Sequence, residues 1–318
     1  MYQIVPMKKE DIPQAMTLWH RQFVKYCKND SFPDFWCGGQ REIESYLLKQ
    51  IEKDNAIVAK KDGAIAGFMA WMCVDFHHEK TAFCPTVGHA ALEENENNIY
   101  QALYTEASQK WVQDSRYNHL WMTFYDDIAL KEMLYDIGFG SYVIDACQKV
   151  SKNILQTNCP YRVTRAVPDD ANALLILENE LNQYLIESPI FLKREACSKD
   201  NIAQIISQNK VFVAWDNDCA IGVMSLNTEQ GYNFEKLTTP DSGYIGRIGA
   251  FVKPEYRGKN VGTSLVKEIF NYCADAGKPF VHLSFETANP NASKFWPKYF
   301  QPAIRSVRRT INKDVNDI

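Results

Sequence analysis

The 318-residue sequence has 9 cysteines and 6 histidines, with no C-x-x-C pair and no other metal-ligand spacing, so no metal is expected. An odd number of cysteines cannot all pair, and the scattered set is read as reduced. No basic stripe interleaved with aromatics occurs and the net charge is -4, which argues against a nucleic-acid partner. Arg305, Arg308 and Arg309 read as a solvated face or strand edge. No apolar run reaches the roughly 18 residues of a membrane span, and Met1 to Pro6 carries no charged-then-apolar leader. No membrane association is therefore expected, and the cytoplasm is the expected compartment. His77 and His78, as neighbours, would point to opposite sides of a strand, so a surface turn is their expected setting.

A hydrophobic fraction of 46% over this length supplies core enough for two ordinary domains. The most informative stretch runs from Ile245 to Ala292. Ile245 to Val252 is apolar, β-favouring and glycine-containing, and Lys253-Pro254-Glu255-Tyr256 should stop it. Arg257-Gly258-Lys259-Asn260-Val261-Gly262-Thr263 follows, and Val261, Leu265, Ile269 and Cys273 then recur at helical spacing. A strand turning through glycines into a helix aims unpaired backbone N–H groups at one spot, where the helix dipole favours a phosphate. Arg257 and Lys259 add positive charge there. The spacing is neither that of a Walker loop nor that of a dinucleotide fingerprint.

These residues resemble the GCN5-related N-acetyltransferases, whose signature loop reads Arg or Gln, two residues, Gly, one residue, then Gly or Ala. Arg257, Asn260 and Gly262 occupy the three places; Asn260 departs from the pattern, yet Asn is the residue that best replaces Gly at positive φ. The resemblance extends through the strand Phe280 to Phe285 to Asn289 and Ala292, which match the family's Asn, two residues, Ala. It implies that Arg257 to Thr263 grips the pyrophosphate of acetyl-coenzyme A as co-substrate, that Asn289 bonds the pantetheine arm, and that N–H groups near Ala250 and Val252 polarise the thioester carbonyl. Trp296 stands where the family often has a Tyr that protonates the departing thiolate, so either Tyr299 or solvent serves; Trp296 reads as a packing residue.

The start of the chain repeats this second half. Glu10-Asp11 leads into a helix bearing Ile12, Met16, Trp19 and Phe23, as Asp169-Asp170 leads into one bearing Leu174, Leu177, Leu181 and Leu185. Val58-Ala59, Gly67 and Met69 are echoed by Val213-Ala214, Gly222 and Met224, each set flanking an Asp-rich hairpin turn. His119-Leu120 and Ala129 are echoed by His282-Leu283 and Ala292. Collinear echoes predict two copies of one fold. The expected class is α/β (α+β), two tandem domains of the resembled family, each a mixed, mostly antiparallel twisted sheet flanked by helices. The boundary is placed in the polar stretch Ser151 to Pro160, giving domains 1–155 and 156–318. In the first copy His89 to Asn98 fills the place of the phosphate loop with Glu93, Glu94 and Glu96 and no glycine, and Asp126 is aligned with Asn289, so this copy is expected not to bind the cofactor in the family's way. It is read as packing that shapes the acceptor cleft; Gly88-His89 reads as structural or as part of a pocket.

The resemblance implies direct attack by a primary amine on the thioester, and the sequence shows no Cys-His pairing that argues for an acyl-enzyme. The strand Ile245 to Val252 carries no carboxylate; Glu286 is the nearest candidate base, with a water chain as the alternative, while Glu255 reads as a surface residue. Ser188 to Leu192 and Asn227 to Asp241 offer Phe191, Tyr232 and Phe234 with Glu229, Glu235 and Asp241, an aromatic and acidic rim suited to a small amine. A non-catalytic acyl-coenzyme A sensor or interaction scaffold is the other reading. Acyl chain length and oligomeric state are not legible.

Overall fold

The computed structural model describes residues 2–27, 32, 36, 40–229 and 233–316. They form two compact units. The first comprises Met1–Asp145, Phe234–Leu237 and Pro302–Ile318; the second comprises Ala146–Asn233 and Thr238–Gln301. This division differs from a single cut at 155: it falls within a strand, and the last strand belongs with the first unit.

In chain order the first part holds β1 (Gln3–Pro6), α1 (Ile12–Tyr26), α2 (Gln40–Glu52), β2 (Ala56–Lys61), β3 (Ala64–Ala70), β4 (Met72–Phe76), β5 (Glu79–Cys84), β6 (His89–Ala91), α3 (Glu96–Gln113), β7 (Asn118–Phe124), α4 (Ile128–Asp136) and β8 (Gly140–Lys149). Then follow β9 (Arg162–Arg165), α5 (Ala171–Glu187), α6 (Lys199–Gln208), β10 (Lys210–Asp216), β11 (Cys219–Asn227), β12 (Ser242–Val252), α7 (Val261–Asp275), β13 (Phe280–Glu286), α8 (Pro290–Phe295) and β14 (Gln301–Thr310). In the first unit the strands run β1-β2-β3-β6 and β4-β5-β7-β14-β8, with β5 and β7 parallel. In the second, the end of β8 is followed by β13-β12-β11-β10-β9; β9–β10, β10–β11 and β11–β12 are antiparallel and β12–β13 is parallel.

The repeat seen in the sequence is a repeat of geometry. Asp11 and Asp170 each accept a hydrogen bond from the backbone three residues earlier, Lys8 N–H at 2.9 Å and Val167 N–H at 2.8 Å, and each precedes a helix whose apolar stripe is buried. Ala59 pairs with Gly67 and Ala214 with Gly222, and each hairpin has a register shift at the next residue. A β-carbon on Gly67 would stand 2.6 Å from Ile99 of α3, and one on Gly222 would stand 3.1 Å from Val261 of α7. Both glycines let a helix approach the sheet closely.

Apolar side chains cover both sheet faces in the first unit, with Trp19, Phe23, Leu47 and Phe68 in one core and Trp71, Trp111, Trp121 and Leu134 in another. The second unit buries Leu174, Leu177, Leu181 and Leu185 of α5 against Val211, Val213 and Val223. His77 and His78 form the β4–β5 turn with φ of 51° and 63°, as a two-residue hairpin turn requires. Arg305, Arg308 and Arg309 are not a free basic face: they bond Ser141, Asn118 and Tyr104 respectively. Among the described residues no helix is long and apolar enough to cross a membrane, and no group of His, Cys, Asp or Glu could hold a metal ion.

Candidate functional site

The site is built where β12 parts from β13. Their parallel pairing runs from Ser242 and Phe280 to Ile245 and Leu283, while β12 continues to Val252 and β13 to Glu286. On its other edge β12 slips against β11: Met224 pairs with Ala250, but Leu226 pairs with Ile245. The residues looped out include Gly249 with φ 79°, a conformation that Gly adopts freely. The bulge carries β12 past the point where β13 stops pairing with it.

Register decides which amides face the gap. Lys253 N–H donates to Ile221 C=O at 3.0 Å, and amides along a strand point to alternate edges. Phe251 N–H therefore points to β11, and the N–H groups of Ala250 and Val252 point to the opposite edge. Arg257 Nε donates to Val252 C=O at 3.0 Å from that edge, which confirms the parity.

Beyond β12 a short 3-10 turn, Pro254–Tyr256, leads into exposed residues 257 to 260 and then α7. Gly258 has φ 76° and Asn260 φ 62°, so Asn260 takes the positive φ expected of it. The first intrahelical bond is Ser264 N–H to Asn260 C=O at 2.9 Å, leaving the N–H groups of Val261, Gly262 and Thr263 without a helical acceptor. Arg257 and Lys259 form no ion pair among the described residues, whereas Lys253 is neutralised by Glu180 at 3.0 Å. The Arg257 guanidinium lies over the rings of Tyr184 at 5.3 Å and Phe251 at 5.8 Å, and Lys259 lies over Tyr256 at 5.1 Å. Tyr256 bonds Asp216 at 2.9 Å, which pushes its phenol up to about 12. Two cations beside an open helix N-terminus suit an anion of high charge density.

Asn260 also ties the loop down, its Nδ2 donating to Asn158 C=O at 3.1 Å. Replacing Asn260 with Ala is expected to cost about 1–2 kcal/mol, through the left-handed backbone and the lost bond. Asn260→Gly should cost less, because it loses only the bond; denaturant midpoints of the two variants give the order.

Asn289 caps α8. Its Oδ1 accepts from Asn291 N–H at 3.2 Å, Ala292 N–H at 3.1 Å and the Tyr184 hydroxyl at 2.8 Å, so a further bond must come from its Nδ2. Tyr184, absent from the sequence expectations, thus joins α5, Arg257 and Asn289. Nothing in its surroundings along the chain marks it, apart from a place on the half-buried side of α5. Trp296 is buried at 7% and packs against Phe300 with centroids 5.6 Å apart, a packing residue as expected. The Tyr299 hydroxyl lies 2.6 Å from Thr263 Oγ1 in the first turn of α7. Glu286 ends β13 half-exposed, its carbonyl accepting from Asn289 N–H at 3.0 Å; Glu255 is exposed.

One pairing was missed. Cys147 Sγ lies 3.5 Å from His282 Nε2, joined across 135 residues of sequence. Both are buried, and burial drives the thiol well above its usual range, which disfavours the thiolate. Of the expected rim, Tyr232 lies outside the described residues, Phe191 is 78% exposed, and Phe234 and Glu235 belong to the first unit, where Phe234 meets Tyr46 at 5.4 Å.

Residues 178–300 match the model of the acetyltransferase (GNAT) family. This stretch is a GNAT domain. The GNAT domain covers the gap between β12 and β13, the loop, α7 and α8. Over the whole chain the structure is similar to a GCN5-related N-acetyltransferase from Sphaerobacter thermophilus, with TM-score 0.55 and 13% identity over 97% of this chain and 95% of that one. It is also similar to an acetyltransferase from the GNAT family from Colwellia psychrerythraea, with TM-score 0.48 and 12% identity over 98% of this chain and 100% of that one. No curated protein matches. At such identity the Sphaerobacter likeness shows the fold alone.

The first unit repeats several local features of this stretch with different residues. Register sets His89 opposite Met69 as Ala250 stands opposite Met224, and Asn95 precedes α3 with φ 65° as Asn260 precedes α7. Asp127, not Asp126, is the counterpart of Asn289: it caps α4 by accepting from Leu130 N–H at 3.1 Å. His89 is buried between the Tyr100 hydroxyl at 3.0 Å and Met122 C=O at 2.8 Å, the structural setting. Glu96, the first residue of α3, is buried and accepts from Gln22 Nε2 at 3.0 Å. Burial and then the charge of Asp127 push its carboxyl up to about 7, against Lys25 and Gln22.

Proposed function

We propose that the chain is an N-acetyltransferase that moves an acetyl group from acetyl-coenzyme A to a primary amine, with the chemistry in residues 156–318. The observation that carries this reading is the conjunction of an open first turn of α7, two cations at its mouth that form no ion pair among the described residues, and a strand gap into which two amides point. In this reading the N–H groups of Val261, Gly262 and Thr263, with Arg257, Gly258, Lys259 and Asn260, hold the pyrophosphate. Asn289 Nδ2 donates to the pantetheine arm. The thioester supplies the activated acyl group.

The remaining roles belong to the chain's own atoms. Ala250 and Val252 N–H groups donate to oxygen charge developing in the gap. Glu286, on the length of β13 that runs past the last paired residue, takes the ammonium proton directly or through water. Tyr299, positioned by Thr263, or solvent returns a proton to the leaving thiolate, whose reference pKa of about 8.5 makes it a good leaving group. The amine acceptor, the cytoplasmic setting and the first unit's role as a scaffold without a cofactor site belong to the same proposal.

Thiol release from acetyl-coenzyme A across a broad panel of primary amines tests it. Turnover with any of them, reduced in Glu286→Gln, supports the reading. Coenzyme A binding with no turnover across the panel supports instead an acyl-coenzyme A sensor or scaffold, a role in keeping with the buried indole of Trp296 in the place of a proton donor.

A further inference from the structure

β12 has β11 on one side and β13 on the other, yet its Tyr244 is only half-buried. Tyr244 pairs with His282, one residue before the last paired position, and paired residues project from the same face. Its ring leans forward along the strand rather than standing upright. A β-carbon added at Gly246 would lie 2.7 Å from Tyr244 Cε1 and 2.9 Å from Cδ1, so the ring covers the position two residues on. The hydroxyl lies 2.9 Å from Ser284 Oγ on β13. Gly246 and Ser284 both come after the last paired residues, Ile245 and Leu283. The tyrosine thus spans the apex of the gap, anchored on one strand and bonded to the other.

Ala250 stands opposite Met224 and Ile245 opposite Leu226, so across the bulge the inward-facing amide of Ala250 lies only two β11 residues past the last residue that β12 pairs with β13. An acyl group whose carbonyl meets that amide can extend only toward the apex, because the other direction is taken by the donor's own chain. We propose that Tyr244 closes the end of the acyl pocket and, held by Ser284 and accommodated by Gly246, restricts the donor to short acyl groups. This rests on the acyl-coenzyme A reading above. The ring, not the hydroxyl, supplies the wall; the Ser284 bond keeps it across the gap. Gly246 is then required because any side chain there would displace the ring.

The test is binding of acetyl-, butyryl- and hexanoyl-coenzyme A by titration calorimetry, each affinity expressed relative to that of free coenzyme A for the same variant. In the intact protein the relative affinity should fall by about 100-fold or more from acetyl to hexanoyl, the range a filled apolar pocket imposes on extra methylenes. Tyr244→Ala should reduce that discrimination at least about tenfold, and Ser284→Ala and Tyr244→Phe, which both lose the bond between the two hydroxyls but keep the ring, should each reduce it less. Circular dichroism on each variant checks that it is folded. A Tyr244→Ala protein that is folded, binds free coenzyme A and discriminates as the parent does overturns the gate. Failure of the parent to bind free coenzyme A overturns the functional reading itself.

Discussion

Gly262→Val is expected to weaken coenzyme A binding by about 100-fold, or roughly 2.7 kcal/mol. A β-carbon at this position would stand 2.9 Å from Phe295 Cζ and 3.0 Å from its Cε2. The Phe295 ring is itself held between Trp296 at 4.9 Å and Tyr299 at 5.0 Å, so it has little room to yield. The first turn of α7 must retreat instead, and its N–H groups lose the alignment on which anion binding depends. Gly258→Ala isolates the other contribution. Nothing lies near a β-carbon there, and only the φ of 76° is strained, so a smaller loss is expected. Calorimetric titration of coenzyme A into both variants checks the order; undiminished affinity in a folded Gly262→Val protein would show that this turn does not hold the anion.

Glu96→Gln should stabilise the first unit at pH 8 by about 2–3 kcal/mol and remove most of its alkaline loss of stability. The carboxyl shifts from 4.5 in the unfolded chain to about 7 when folded. The folded form therefore binds the proton more tightly, so stability is highest below pH 4.5 and falls as pH rises toward 7. A shift of that size corresponds to about 3 kcal/mol for a group this buried. The neutral glutamine keeps the shape and can still accept from Gln22. His89 acts with the opposite sign: burial lowers it to about 4, so its stabilisation is complete above pH 6.5 and is lost as pH falls toward 4. The substitution should leave that acid limb in place. Unfolding followed by tryptophan fluorescence between pH 5 and 8 reads mainly the first unit, which holds Trp19, Trp36, Trp71, Trp111 and Trp121. Parallel curves for parent and variant over this range would contradict the buried-acid account.

Local chemistry was legible in the sequence, and long-range chemistry was not. The spacing of Val261, Leu265, Ile269 and Cys273 fixed the buried side of α7, and all four are buried. Asn260 could be read as a positive-φ residue from its type alone. The two leading aspartates and the paired hairpins followed from residue type and order. By contrast, the three-residue slip of β12 leaves no composition mark, because Gly246 and Gly249 look alike in sequence while only Gly249 has positive φ. Tyr184 reaches Asn289 across 105 residues and Cys147 reaches His282 across 135, distances over which pattern carries no information. The alignment of Asp126 with Asn289 was one residue off because it followed Ala129 and Ala292, whereas the caps themselves set the register at Asp127.

The strand β14 belongs to the first unit, where Ile304 to Thr310 pair with Phe124 to Asn118 and Ile304 is fully buried. On the ribosome, then, β7 must wait without this neighbour until the entire GNAT domain has been synthesised. The newborn first unit carries an open strand edge and a core lacking Ala303, Ile304 and Val307 throughout that interval. Order of synthesis and order of completion are thus reversed: the half that emerges first is the half that closes last.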